Sequence, residues 1–151
     1  MLGHETAITL SQDAAIALGL ARTAVPFAAS YEDEAERWVR VLRMHGQVSL
    51  AMQALGVGEA PLETNAMPRA VRITHRHDTS GQAVVDVEHQ ALEFAAERGG
   101  QLVSTVDLFF AVLDVYGSAF DRALYSRGTT RAELISSICA DGHPVPALFS
   151  A

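Results

Sequence analysis

Residues 91–138 repeat, in fuller form, a pattern already present in residues 16–57, and this doubling constrains the fold more than any other feature. Leu18-Gly19-Leu20-Ala21 is answered by Leu92-Glu93-Phe94-Ala95, an offset of 74 (18 to 92). Trp38-Val39 and Val41-Leu42 are answered by Phe109-Phe110 and Val112-Leu113, an offset of 71 (38 to 109). Val48, Ala51, Met52 and Gly56 are answered by Phe120, Ala123, Leu124 and Gly128, an offset of 72 (56 to 128). The drift falls in loops, where insertions are tolerated. Two similar halves of helical period imply an all-α domain of two pseudo-symmetric four-helix repeats, the first degenerate, related by a pseudo-twofold axis. The expected organisation is one domain over residues 1–151. Its first repeat runs over 10–57, a linker over 58–82, the second repeat over 83–140 and an irregular tail over 141–151.

Local signals place the helices. Ser11 suits the N-cap of a first helix that must end before Pro26, and Ile16, Leu20 and Ala24 lie four apart on one face. A second helix is expected over 32–44, with Glu32, Asp33 and Glu34 at its positive end and Arg40 and Arg43 at its negative end. Trp38, Val41 and Leu42 form its buried stripe. A third helix over 47–55 is closed by Gly56. The linker carries Pro61, Pro68 and the polar run His75-Arg76-His77-Asp78-Thr79-Ser80, with room for a short helix near 62–66 or a strand at 70–74. Four helices follow, over 83–98, 105–116, 118–126 and 130–140. Thr105 is the expected cap of the second of these, and Thr130 with Glu133 forms a capping box on the last.

Composition narrows the function. The 151 residues are 49% hydrophobic, enough for a sizeable core, and the abundance of Ala and Leu favours helix on helix. A net charge of −7, with scattered basic residues that are all Arg, argues against a nucleic-acid partner. The single Cys139 excludes an internal disulfide and fits a reducing cytoplasm. The residues from Met1 to Glu5 lack a basic signal region, and no apolar run reaches the ~20 residues needed to cross a bilayer, so no membrane partner is expected.

The second half resembles the Clp amino-terminal repeat, the helical substrate- and adaptor-binding unit at the front of Clp-type AAA+ unfoldases. The residues from Arg98 to Leu113 follow that family's L-G-H-x-Y-[IV]-G-T-E-H-[IL]-L-L-x-L run without a gap, and Tyr125-Ser126-Arg127-Gly128 stands where a helix ending in L-G belongs. The first half matches chiefly at 38–44 and 48–57. The resemblance implies a tandem of repeats that binds protein or peptide segments, including an unfoldase or its substrates, in a bacterial cytoplasm. As a stand-alone unit it would act as an adaptor, a regulator of proteolysis or a ligand-sequestering protein. It implies no cofactor, and no G-x-x-x-x-G-K-[ST] loop for ATP is present. In some members a Glu in each repeat, with a Thr at each repeat's start, holds phosphoarginine. That Glu falls at Val106 here, with Asp107 at the adjoining His; the first-half places fall near Ala35 and Glu36, and the Thr places near Ser11 and near Ser80 or Gly81.

The expected protein-binding residues are Ser11, Phe27, Tyr31, Glu34, Glu36, Thr79, Ser80 and Asp107. Phe27 and Tyr31 stand in a loop that departs from the repeat. The competing reading is a small helical enzyme or metal-binding regulator using His75, His77 and His89. His75 and His77 share one face of a strand and Asp78 adds an oxygen, but the same run reads equally as a solvated linker. His89 and Glu93 suit either acid–base pairing or a surface i,i+4 pair. Cys139 reads as a buried, inert thiol, and the aromatic set Phe109, Phe110 and Tyr116 as core. No metal or catalytic residue is expected.

A Val cannot accept a hydrogen bond from a guanidinium, and an acidic surface repels phosphate. Calorimetric titration with free phosphoarginine should therefore show no micromolar binding; a saturable micromolar isotherm would show that other residues form the site.

Overall fold

A computed structural model describes residues 7–58 and 80–149. Among them, α1 spans Gln12–Ala24, α2 Tyr31–Leu42, α3 Gln47–Ala54, α4 Ser80–Glu97, α5 Thr105–Tyr116, α6 Ser118–Tyr125 and α7 Arg131–Ala140. Short 3₁₀ turns lie at Val25–Phe27 and Ala147–Phe149. The chain is mostly helical, as expected. One small sheet was not foreseen: β1 (Thr9–Leu10) pairs in parallel with β2 (Leu102–Val103). Two residues per strand are too few to show a period in sequence.

The starts of α1, α2, α5 and α7 follow from a hydroxyl ahead of an acidic first turn. Ser11 accepts the Ala14 N–H at 3.1 Å, and Ser30 accepts the Asp33 N–H at 3.1 Å. Ser104 accepts the Asp107 N–H at 3.3 Å, and the Asp107 carboxylate accepts the Ser104 N–H at 2.8 Å, closing a capping box. The cap of α5 is thus Ser104, one residue before the expected Thr105. Ser104 wins because its own backbone is extended, as a cap requires, while Thr105 is already helical and buried. Thr130 and Glu133 form the capping box expected on α7. The α2 and α5 helices are both 12 residues long, and α3 and α6 both 8.

The ends of α3 and α6 close alike. Gly56 and Val57 donate to the carbonyls of Gln53 and Met52, and Gly128 and Thr129 donate to those of Tyr125 and Leu124. These bonds match at the offset of 72 read from the sequence. The caps of α2 and α5, however, match at 74 (Ser30 to Ser104), not 71. Cap to cap, Trp38 answers Val112 rather than Phe109. Three residues is nearly one turn, so the slip keeps the apolar stripe on the same face and is invisible to a pattern match. Trp38 and Phe109 are both fully buried nonetheless.

The core surrounds α5. Ten of its twelve residues are buried, all but Asp114 and Val115. It packs against α1, α2, α3, α4 and α6. Gly46, which opens α3 with φ of 92°, marks a close approach: a Cβ there would lie 2.5 Å from the Thr105 hydroxyl oxygen. After α7 the segment 141–149 is irregular apart from the 3₁₀ turn at Ala147–Phe149. It turns back so that Phe149 lies against Phe94 and Phe110. Cys139 is half-buried rather than buried. The short helix or strand expected within 62–74 lies outside the described residues.

Truncating Trp38 to Ala should cost about 3–5 kcal/mol, since it empties a large fully buried volume. Urea unfolding of the variant measures this; an unchanged midpoint would contradict the packing.

Candidate functional site

The polar chemistry gathers where α2 of the first half meets α5 and α6 of the second. Five residues of α2 reach across this seam. The Tyr31 hydroxyl donates to the Val115 carbonyl at 2.7 Å, and its ring lies 4.9 Å from that of Tyr116. Arg122 pairs with Glu32 near the surface. Tyr116 donates its hydroxyl proton to Glu34 at 2.8 Å and accepts the Trp38 indole N–H at 3.2 Å. Arg127, its side chain 1% exposed, donates to Glu36 at 2.6 Å. The spacing explains the set: 32 and 36 lie one turn apart, as do 34 and 38.

Burial raises the Tyr116 phenol well above its ordinary range, and its hydrogen bond to the Glu34 carboxylate raises it further. Tyr31 is raised too, first by burial and then by the charges of Glu34 and Glu32. Both phenols therefore stay protonated donors at neutral pH.

A second clamp joins α4 to α5. Arg98 donates to both Asp107 oxygens, at 3.0 and 2.6 Å, and to the Leu102 carbonyl at 2.7 Å. The hydrogen bond to Asp107 raises the Arg98 pKa. This clamp holds β2 beside β1 and fixes the start of α5.

The residues expected to bind a partner fall into distinct places. Phe27 is 66% exposed and Tyr31 40% exposed, at the joint between α1 and α2. Glu34 and Asp107 are buried, and Glu36, its side chain 21% exposed, pairs with Arg127. Ser11 is spent capping α1. Ser80 opens α4, and Thr79, like His75 and His77, lies outside the described residues. When α2 and α5 are aligned cap to cap, Val106 and Asp107 fall opposite Glu32 and Asp33. Glu32 is held by Arg122, and Asp33 accepts the Ala29 N–H and pairs with Arg37.

His89 and Glu93 stand 3.7 Å apart on the exposed side of α4. Among the described residues no three His, Cys, Asp or Glu side chains gather as metal ligands. Beside the seam lies an open depression of about 500 Å³ lined by Ser118, Asp121, Arg122, Tyr125, Thr130 and Arg131. Arg131 is fixed within it by two 2.9 Å bonds to Asp121. Sequence reading missed Arg98, Arg122 and Arg127 as partners. Their signal was present, since each is an Arg near a helix end, but their carboxylates lie in other segments.

No family model matches the sequence, and no curated protein matches it. No helix among the described residues is long and apolar enough to cross a membrane.

Replacing Tyr116 by Phe removes a donor to a buried carboxylate and should cost about 1–3 kcal/mol. The sign with pH follows from linkage. A phenol raised in the folded state adds stability that is fully present below the unfolded value of about 10 and is lost as pH rises beyond it. Wild-type stability should fall above about pH 10, and Tyr116→Phe should fall less steeply. Parallel slopes in urea titrations from pH 9 to 11 would refute this.

Proposed function

We propose that the chain is a non-catalytic protein-interaction domain built as a tandem of Clp amino-terminal-type repeats. It would serve a bacterial, cytoplasmic unfoldase system as an adaptor, a regulator or a sequestering protein. The observation that carries this reading is the recurrence of the same devices in the same order. A serine-capped 12-residue helix leads through a glycine to an 8-residue helix, and this closes on a glycine with the same pair of backbone bonds. Matching offsets of 74 and 72 fit a duplicated unit with a small insertion between its helices. The non-catalytic part of the proposal is supported by the engagement of Glu34, Glu36 and Asp107 in bonds that tie elements together.

The contact surface in this reading is the α1–α2 joint. Phe27 and Tyr31 present aromatic area beside an acidic helix start, with Glu32 next in the chain. Apolar or basic protein segments suit such a surface. Aromatic side chains commonly dominate protein interfaces, because they bury large area at low entropic cost.

Phe27→Ser should leave stability within about 0.5 kcal/mol, as befits an exposed position. It should weaken the complex with a partner captured by the wild type by about 2 kcal/mol, roughly thirtyfold in Kd. Immobilised wild type, Phe27→Ser and Tyr31→Ser, exposed in parallel to purified Clp-type unfoldase and its substrates, provide the comparison. Capture equal in all three would remove the joint from the interface, and no capture by the wild type would remove the unfoldase assignment.

A further inference from the structure

We propose that the aromatic cleft formed by α4, α5 and the start of α7 is a second docking site. It takes a protein segment of the form Pro-x-x-Phe and is held shut here by the chain's own residues 144–149. This rests on the protein-binding reading, but at a surface separate from Phe27 and Tyr31.

The receiving side is built from three helices. Phe94 of α4 and Phe110 of α5 supply the walls, Arg131 of α7 the rim, and Glu97 of α4 an acceptor. The Phe149 ring lies 5.3 Å from that of Phe110 and 6.1 Å from that of Phe94, the latter edge to face. The Arg131 guanidinium carbon stands 5.8 Å from the centre of the Phe149 ring, and Asp121 fixes that guanidinium from behind with its two bonds. Glu97 accepts the Ala147 N–H at 2.8 Å.

The seated segment shows what the cleft reads. Pro146 is buried, and its carbonyl accepts the Phe149 N–H at 2.9 Å, closing one turn. Leu148 points outward, 61% exposed. The contacts thus fall on the Phe149 ring, the Ala147 N–H and Val145, which packs on the core, with Pro146 buried beside them. None depends on the side chains of Ala147 or Leu148. A segment from another protein with an aliphatic residue, Pro and Phe at the same spacing offers the same groups.

The chain's own copy has the advantage of proximity. Tethered a few residues after α7, it sits at an effective concentration in the millimolar range. A partner must therefore offer several such motifs or bind where the tether is weakened. Occupancy in cis thereby sets a threshold for binding in trans.

The test titrates a labelled peptide of residues 143–149 into the full wild-type chain and into full-chain Phe149→Ala, read by fluorescence anisotropy. With the cis competitor disabled, the variant should bind about tenfold or more tightly than the wild type. The same peptide with Ala for its final Phe should bind neither. Equal affinity for both chains, or no binding to a folded variant, would overturn the proposal. If Phe149→Ala does not fold, hydrogen exchange on the wild type decides. The Phe149 amide must exchange at least tenfold faster than those of α5, as a segment that opens locally does. Protection equal to that of α5 would make the segment part of the core and end the proposal. Losing capture at Phe27 would leave this titration unaffected, so the two failures are distinguishable.

Discussion

The burial of α5 is the constraint on which the rest depends. Its run from Val106 to Leu113 contains no polar residue after Asp107, and its inward and outward faces are equally apolar. A helix that is apolar all round must be covered all round. Its neighbours on every side follow from that need, and so do their shapes. The α1, α3 and α4 helices present Ala, Val, Leu, Met and Phe94 inward, while Ile16, Leu50 and Val85 stand exposed among their outward residues. The one charge near the start of α5, Asp107, is tolerated inside because Arg98 and the Ser104 N–H satisfy it. Removing Arg98 would leave a buried carboxylate short of its strongest donors, so the clamp and the core stand together.

The seam between α2 and α6 solves a different problem. Its helix α2 is strongly two-faced, with Trp38, Val39 and Leu42 inside and charges flanking them. Docking such a helix buries the inner ends of its acidic residues. Arg127 and Tyr116 answer two of them with short bonds. A buried ion pair adds little net stability over an apolar contact of the same size, because desolvation offsets the attraction. Its effect is on geometry: an Arg–Glu pair in a dry seam fixes the register of one helix on another. Exposed Arg122–Glu32 contributes far less, being screened by solvent.

Much of this was legible in the sequence because the signals were local. A threonine followed by an acid three residues later locates Thr130, and Ser11 was legible as the cap of α1, whereas the same signal at Ser30 and Ser104 went unread. Glycines after an apolar run locate the ends of α3 and α6. Helix identity and burial of Trp38 and Phe109 follow from the period alone. What escaped was long-range. The choice between offsets of 71 and 74 turns on a cap, not on the apolar stripe, since a shift of nearly one turn preserves the stripe. The pairs Arg98–Asp107, Arg127–Glu36 and Tyr116–Glu34 join residues 9, 91 and 82 positions apart. Charge alone cannot choose among so many partners at those separations. Of the acidic residues of α2 expected to meet a partner, Glu34 and Glu36 are held by Tyr116 and Arg127. The returning segment at 147–149 also escaped, because one Phe after two prolines carries no periodicity.

On the proposed protein-binding reading, these bonds narrow where a partner would act. In the second half the helix α5 is sealed and its acid at 107 is consumed. In the first half the corresponding helix α2 keeps an open edge, where Tyr31 is half in the seam and half in solvent. Tyr31 therefore couples outside to inside: its hydroxyl holds the Val115 carbonyl and its ring rests on Tyr116, which in turn holds Glu34 and Trp38. A ligand that draws the Tyr31 ring outward must break the bond to Val115 and uncover Tyr116. A ligand that stacks on the ring in place leaves the network intact and adds to its burial. The second costs less, so on the proposed reading the exposed edge would favour partners that bind the seam closed and stabilise the contact of α2 with α5 and α6.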